Sequence, residues 1–262
     1  AEEQAAFDVY DANNINPLYG FFVARAGLGA SESMRSKLAE YNDPRLSRAF
    51  ITKQGTSGKE QAPGTADNAV YAPNGTPEQG TSKYGTSLFM YSISAPTLLL
   101  SYHELKFLEA EALCRLERDA KSALKDAVVA GLLNAENSFT ISRKELGKTL
   151  INAASSITEA EAESYFDNTI EAKYTAEPLK TTMTQKYFAL WGASGEATES
   201  YNDVRRMKGL GENFIELKNP NSFPLRCPYG NSDTTTNAEV KAAYGNGQYV
   251  YSENVWWAGG SR

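Results

Sequence analysis

Residues 101–133, SYHELKFLEAEALCRLERDAKSALKDAVVAGLL, decide the fold. Ser101-Tyr102-His103-Glu104 is a capping box, in which the Ser101 hydroxyl accepts from the Glu104 backbone N–H and the Glu104 side chain reaches back. Leu105, Leu108, Ala112 and Leu116 follow at helical spacing and are read as the inward face. Asp119 is read as the cap of a second helix, in which Ala120, Leu124, Ala127 and Val128 fall on one stripe. Alanines at 110, 112, 120, 123 and 127 allow close approach, so the stretch predicts an antiparallel helical hairpin.

Working outward, a second hairpin is expected downstream. Thr158-Glu159-Ala160-Glu161 is another capping box and opens a helix to about Tyr174, with Ala162, Tyr165, Phe166 and Ile170 inward. Pro178 is read as the end of that segment, and a further helix is placed from Thr181 to Trp191. A helix from Glu196 to Lys208 starts acidic and ends in Arg205, Arg206 and Lys208, which complements the helix dipole, with Gly209 as its C′ stop. Upstream, Ser31 to Tyr41 reads as a short helix with Met34, Leu38 and Tyr41 inward, stopped by Asn42-Asp43-Pro44.

Residues 55–85 hold six glycines and three prolines, a density that opposes both helix and sheet. A loop this long in a compact domain is disordered or functional, and Tyr71 and Tyr84 suggest a partly ordered loop that presents aromatics. Beyond Gly211 the helical pattern fades into Pro, Asn and Gly clusters, with Gln248 to Tyr251 as a candidate strand. The chain therefore divides into residues 1–100, helical hairpins over 101–209 and an irregular segment over 210–262, all taken as one region.

Composition narrows the function. The 262 residues carry 26 Lys and Arg against 32 Asp and Glu, a net charge of −6, which argues against a nucleic-acid partner. No stretch approaches the ~20 apolar residues that span a bilayer. One histidine and two cysteines are too few and too scattered for a zinc site of three or four such ligands. Cys114 and Cys227 are read as free, buried thiols, although pairing between them stays open. Gly55-Thr56-Ser57-Gly58-Lys59-Glu60 lacks the spacing and the Ser/Thr of a phosphate loop, and no nucleophile elbow or calcium loop occurs. No cofactor, metal or catalytic residue is expected.

Acids such as Glu159, Glu161 and Glu163 read as solvated helix faces, and Asp203 and Arg206 as a pair on one helix. Aromatics are the suggestive feature, because flat rings stack on sugar rings. Trp191 is read as core, and Trp256-Trp257 as one ring in and one out. Tyr71 and Tyr84, with Asn74 beside them in the loop, are the candidate ligand-binding residues.

Several segments resemble one family in their order along the chain. They are Asn42-Asp43-Pro44-Arg45-Leu46, then Leu105-x-x-Leu108-x-Ala110-Glu111-Ala112 and Gln185-Lys186-Tyr187-Phe188-Ala189-Leu190-Trp191. Tyr201-Asn202-Asp203-x-Arg205-Arg206, Phe223-Pro224-x-Arg226-x-Pro228-Tyr229 and Asn237 follow. The set, running from about 42 to 257, is similar to the SusD/RagB family of nutrient-binding outer-membrane lipoproteins. The resemblance implies an all-α fold of tetratricopeptide-like hairpins with long irregular loops and a few short strands. It implies capture of glycan at the cell surface, a lipid anchor in the outer membrane, a SusC-like TonB-dependent transporter as partner, and no catalysis.

Members of that family are roughly twice as long and begin with a signal peptide and a lipobox cysteine. This chain opens Ala1-Glu2-Glu3-Gln4, without a signal peptide, and so resembles the C-terminal half, with the N-terminal half absent and an apolar face left to be covered. The competing readings are a tetratricopeptide-like protein-interaction scaffold without a small ligand, and an all-helical glycosidase. The latter requires two carboxylates about 5–10 Å apart in a cleft, one with a raised pKa.

Overall fold

The fold was analysed on a computed structural model that describes residues 4–25, 28–54, 59–61, 71–75, 84–192, 195–218 and 222–260. It follows the hairpin logic of the sequence. In chain order the elements are β1 (Ala5–Phe7), α1 (Pro17–Arg25), α2 (Glu32–Glu40), β2 (Phe50–Gln54), β3 (Lys59–Gln61), β4 (Thr86–Ser87), β5 (Thr97–Leu100), α3 (Tyr102–Arg115) and α4 (Lys121–Leu146). Then come β6 (Leu150–Ile151), α5 (Glu159–Tyr165), α6 (Glu171–Ala176), α7 (Pro178–Leu190), α8 (Glu199–Gly209), α9 (Asn231–Thr236) and α10 (Ala238–Tyr244). Two compact units result, Ala1–Glu216 and Leu217–Arg262.

In the first unit α3 and α4 pack as the expected hairpin, and α7 lies against both. Ser101 caps α3, with Oγ accepting from the Glu104 N–H at 3.1 Å. The buried face of α3 is not the leucine stripe. His103, Glu104, Phe107, Ala110 and Glu111 point inward, whereas Leu105 is 52% and Leu108 is 42% exposed. The leucine spacing was helical, but periodicity identifies a face without saying which of two faces meets the neighbouring helix. Helix α4 continues well past 133, to Leu146, because no breaker interrupts it before Gly147 at φ +51°. Its glycine, Gly131, sits where a Cβ would come within 2.9 Å of Ala189 Cβ, so α4 and α7 approach closely there.

Thr158 caps α5 as expected, its side chain accepting from Glu161 N–H at 3.2 Å. A π-helical turn, Phe166–Ile170, joins α5 to α6 and keeps Phe166 and Ile170 buried. The preceding helix ends at Ala176, just before Pro178 as expected, and Pro178 also opens α7, a position where its missing N–H costs nothing. Gly209 is the last residue of α8, and the left-handed residue is Gly211 at φ +76°. Two antiparallel strand pairs and a parallel one form a small sheet of order β4-β2-β3-β6, and β1 pairs with β5. β3 falls inside the stretch expected to resist sheet, because β2 and β6 flank it and satisfy its backbone. Residues 55–58, 62–70 and 76–83 of that stretch lie outside the described residues.

The core is aromatic at its centre. Trp191 meets Phe50 and Phe89, each with ring centroids 5.1 Å from its own, so it packs on the core. In the second unit α9 and α10 stand where only a strand was expected, and residues 248–251 form no strand, with 248–249 irregular and 250–251 in a turn. Asn237 caps α10 by accepting from the Glu239 and Val240 N–H groups. Tyr229 stacks on Tyr244 at 4.2 Å, with Arg226 over Tyr229 at 4.8 Å. Trp256 and Trp257 are both exposed, because their adjacent places in a tight 3₁₀ turn turn neither ring inward. Both cysteines are free thiols, Cys114 half-buried and Cys227 exposed, so neither is fully buried.

Candidate functional site

Three places in the first unit concentrate functional chemistry. The first is where the Gly/Pro-rich loop meets the start of α2. Ala72 N–H donates to Ala30 at 2.8 Å, Glu32 N–H donates to Ala72 at 3.0 Å, and Ala30 N–H donates to Gly85 at 2.7 Å. The Ser31 hydroxyl caps α2 and donates to Asn74 Oδ1 at 3.0 Å. Asn74 is thus bonded to this helix start, and Tyr71 and Tyr84 adjoin its backbone partners Ala72 and Gly85. They are not equally presented. Tyr71 is half-buried, edge-on to Phe50 at 5.3 Å, with the Arg35 guanidinium 5.2 Å from its ring. Burial pushes its hydroxyl pKa up, and Arg35 pulls it partly back. Asn74 is half-exposed, whereas the Tyr84 ring is 7% exposed and turned inward. Loop composition marks aromatics as available without marking which of them the core takes up.

The second place is a groove of about 330 Å³ where α3, α4 and α5 meet. Val129, Ala130 and Leu133 form its apolar floor. Tyr102, Asn134, Asn137, Glu159 and Glu163 stand around it. Amides and carboxylates in this setting donate to and accept from hydroxyl groups, and an apolar floor suits a C–H face. Of these, Glu159 and Glu163 were expected as solvated helix faces, and Tyr102, Asn134 and Asn137 carried no expectation of a site. The available signal was the i, i+3 pair Asn134 and Asn137 on an otherwise core-forming helix.

The third is a buried charge cluster between α3, α7 and α8. Lys186 Nζ pairs with Asp203 at 2.8 Å, and Asp203 also accepts from Arg206 at 2.8 Å. Glu111 is held by Arg206 and by Arg115, which itself pairs with Glu212 at 2.8 Å. Burial opposes ionisation of Glu111, but these guanidinium bonds outweigh it and lower its pKa. Glu104 behaves in the opposite way. Burial, then the hydrogen bond and charge of Glu196, push its carboxyl up to about 7. Glu196 accepts the Ser101 N–H, and its other oxygen lies 3.6 Å from His103 Nε2, beyond hydrogen bonding. Burial and Arg45 lower His103 to about 4, so its imidazole is neutral. Both Glu104 and Glu196 are buried, so this pair of carboxyls is closed to a substrate.

Among the described residues no cluster of three or more His, Cys, Asp or Glu side chains could hold a metal ion, and no helix is long and apolar enough to cross a membrane.

Paired helices carrying irregular loops define an all-α fold built on helical hairpins. The chain belongs to the SusD-like family described as starch-binding and associating with the outer membrane, which matches residues 1–229. It is 64% identical to a SusD/RagB family protein of Bacteroides thetaiotaomicron, with a TM-score of 0.91, over 100% of this chain and 56% of that one. A Bacteroides vulgatus protein inferred to act in nutrient binding at the outer membrane shares the fold at 21% identity and a TM-score of 0.61, over 97% of this chain and 56% of that one. A Bacteroidetes SusD-like protein does so at 17% identity and a TM-score of 0.56, over 97% and 60%. This chain therefore spans little more than half the length of the structures it matches. No curated protein sequence matches it.

Proposed function

We propose that the chain belongs to a cell-surface lipoprotein that captures an oligosaccharide and delivers it to a SusC-like TonB-dependent transporter in the outer membrane. The observation that carries this reading is the family match over residues 1–229 to proteins described as starch-binding at that membrane. The groove beside Asn134 and Asn137, and the loop surface at Tyr71 and Asn74, offer polar groups suited to sugar hydroxyls. Catalysis finds less support. A glycosidase uses one raised carboxyl in an open cleft, and here the raised carboxyl, Glu104, is sealed against Glu196.

The scaffold reading draws on one observation, the exposed leucines 99, 105, 108 and 116. Calorimetric titration of the chain with a panel of polysaccharides separates the two. Saturable binding to one glycan, without release of reducing ends, is the expected result. No heat with any glycan, together with co-purification of a protein on the leucine face, would replace capture by scaffolding.

A further inference from the structure

We propose that the outward leucine face of α3 is the seat of a further helical hairpin, supplied by the part of a family-length chain that these 262 residues do not span. The proposal rests on family membership and not on glycan capture. It concerns the first unit alone.

Four observations carry it. The first is pattern. Leu105, Leu108, Ala112 and Leu116 recur at intervals of three and four, and all are exposed, Leu116 at 63%. The row runs about 16 Å along α3, at the spacing by which one helix packs on another. Leu99 and Leu100, in the strand that leads into α3, are exposed as well. Single leucines scattered on a surface need no partner, but a contiguous row marks a contact.

The second is position. Helix α3 already packs on α4 and α7, with Phe107 and Ala110 buried, so the leucine row is a further face. In a stack of hairpins each unit touches its neighbours, and an end unit needs a polar outer face. Helix α5 has such a face, its exposed residues being Glu159, Ala160, Glu163 and Ser164. Helix α3 lacks one, which makes it an inner member of a longer stack.

The third is charge. Lys106 pairs with Glu109 at 2.9 Å and with Asp126 at 3.5 Å, and Arg115 pairs with Glu111 at 2.7 Å and with Glu212 at 2.8 Å. These cations beside the row are satisfied within the chain, so the face asks for apolar cover and not for counter-charges. An aliphatic face of this kind resembles a core cut in half, the mark of permanent packing, whereas reversible partners meet over a more polar surface. The fourth is length. The relative of 64% identity aligns with all of this chain over 56% of its own, so more than two-fifths of it lies outside the match. At about 34–47 residues per helical hairpin, that holds several more hairpins. The leucines that favour a scaffold then belong to the protein's own core.

The test reads the accessibility of position 105. The unmatched part of the Bacteroides thetaiotaomicron relative is joined to residues 1–262 in the order that relative has them, and Leu105→Cys is introduced into this chimera and into the 262-residue chain. Maleimide labelling is timed, and the modified residue is located by peptide mass spectrometry. Labelling is expected to be about tenfold or more slower in the chimera. In parallel, Leu105→Glu/Leu108→Glu is expected to leave the melting temperature of the 262-residue chain unchanged and to lower that of the chimera by several degrees, since unpaired carboxylates are then buried. The full-length relative, with cysteine at the residue aligned with Leu105, gives the same reading where the chimera does not fold. Equal labelling rates in the short and long chains would overturn the proposal. Protection already present in the 262-residue chain and lost on dilution would overturn it in favour of a second copy. Protection of the long chain only when a transporter is added would overturn it in favour of that partner. No polysaccharide enters the assay, so this proposal and glycan capture fail separately.

Discussion

Arg45 forks onto Asp43 inside the protein, with Nε to Oδ1 at 2.9 Å and Nη2 to Oδ2 at 2.6 Å. Its remaining arm donates to the Phe188 carbonyl at 2.7 Å, and Tyr165 donates to Asp43 Oδ2 at 3.3 Å. One turn after α2 is thereby fastened to α5 and to the end of α7. A buried pair is strongly destabilised when one member is removed, since the other charge is stranded. Asp43→Asn is therefore expected to cost about 3–5 kcal/mol, read as a shift in the urea midpoint. A loss below about 1 kcal/mol would show that the fork carries little.

Glu104 and His103 give opposite pH slopes. The Glu104 pKa is raised from 4.5 to about 7, so its stabilisation is present below pH 4.5 and lost as pH rises through 7. The His103 pKa is lowered from 6.5 to about 4, so its contribution is present above pH 6.5 and lost as pH falls through 4. Between 4.5 and 6.5 the two slopes oppose one another. Glu104→Gln removes the falling slope, and its melting temperature is expected to rise relative to wild type as pH increases through that window. Melts from about pH 4 to about pH 8 check this, and a constant offset between the two proteins would refute it.

The two faces of α3 predict contrasting substitutions. Phe107 is fully buried, so Phe107→Ala is expected to cost about 3–5 kcal/mol. Leu105→Glu and Leu108→Glu lie on the exposed stripe and are expected to stay within about 0.5 kcal/mol in this chain. Denaturation of the three variants would reveal a reversed face if the leucine variants proved the costlier.

Three glycines near α8 separate by conformation. Gly209 is helical with nothing within 4 Å of a Cβ, so Gly209→Ala is expected to stabilise by about 0.5–1 kcal/mol. Gly211, at φ +76°, is expected to lose about 1 kcal/mol or more as alanine. Gly195, at φ +93° and packed on the Leu98 carbonyl, should lose the most. Thermal melts rank the three, and equal shifts would contradict the assignment of Gly211 as the residue past the helix end.

Much of the architecture was legible in local chemistry. The hydroxyl caps at Ser101 and Thr158 formed, because a hydroxyl and the N–H three residues on are fixed by the chain itself, but the glutamates of both boxes turned elsewhere: the Ser101 N–H donates to Glu196, and Glu161 pairs with Arg48. The inward set Ala162, Tyr165, Phe166 and Ile170 was right, since that helix carries a single apolar face. The Asp203–Arg206 pair formed for the same local reason. Where a segment offered two options, the reading failed. Helix α3 has both a leucine stripe and a Phe107 face.

The sequence by itself determined the helical hairpins, their caps and the family resemblance, because each rests on residues within about one or two turns of one another. Tertiary structure alone decided which face of α3 is buried, and that Tyr84 turns inward while Tyr71 stays half-exposed. It also decided that Glu104 meets Glu196 and that Asn134, Asn137 and Glu159 line one groove. Those outcomes depend on pairs far apart in the chain, whose encounter is set by how the helices stack and not by any local spacing.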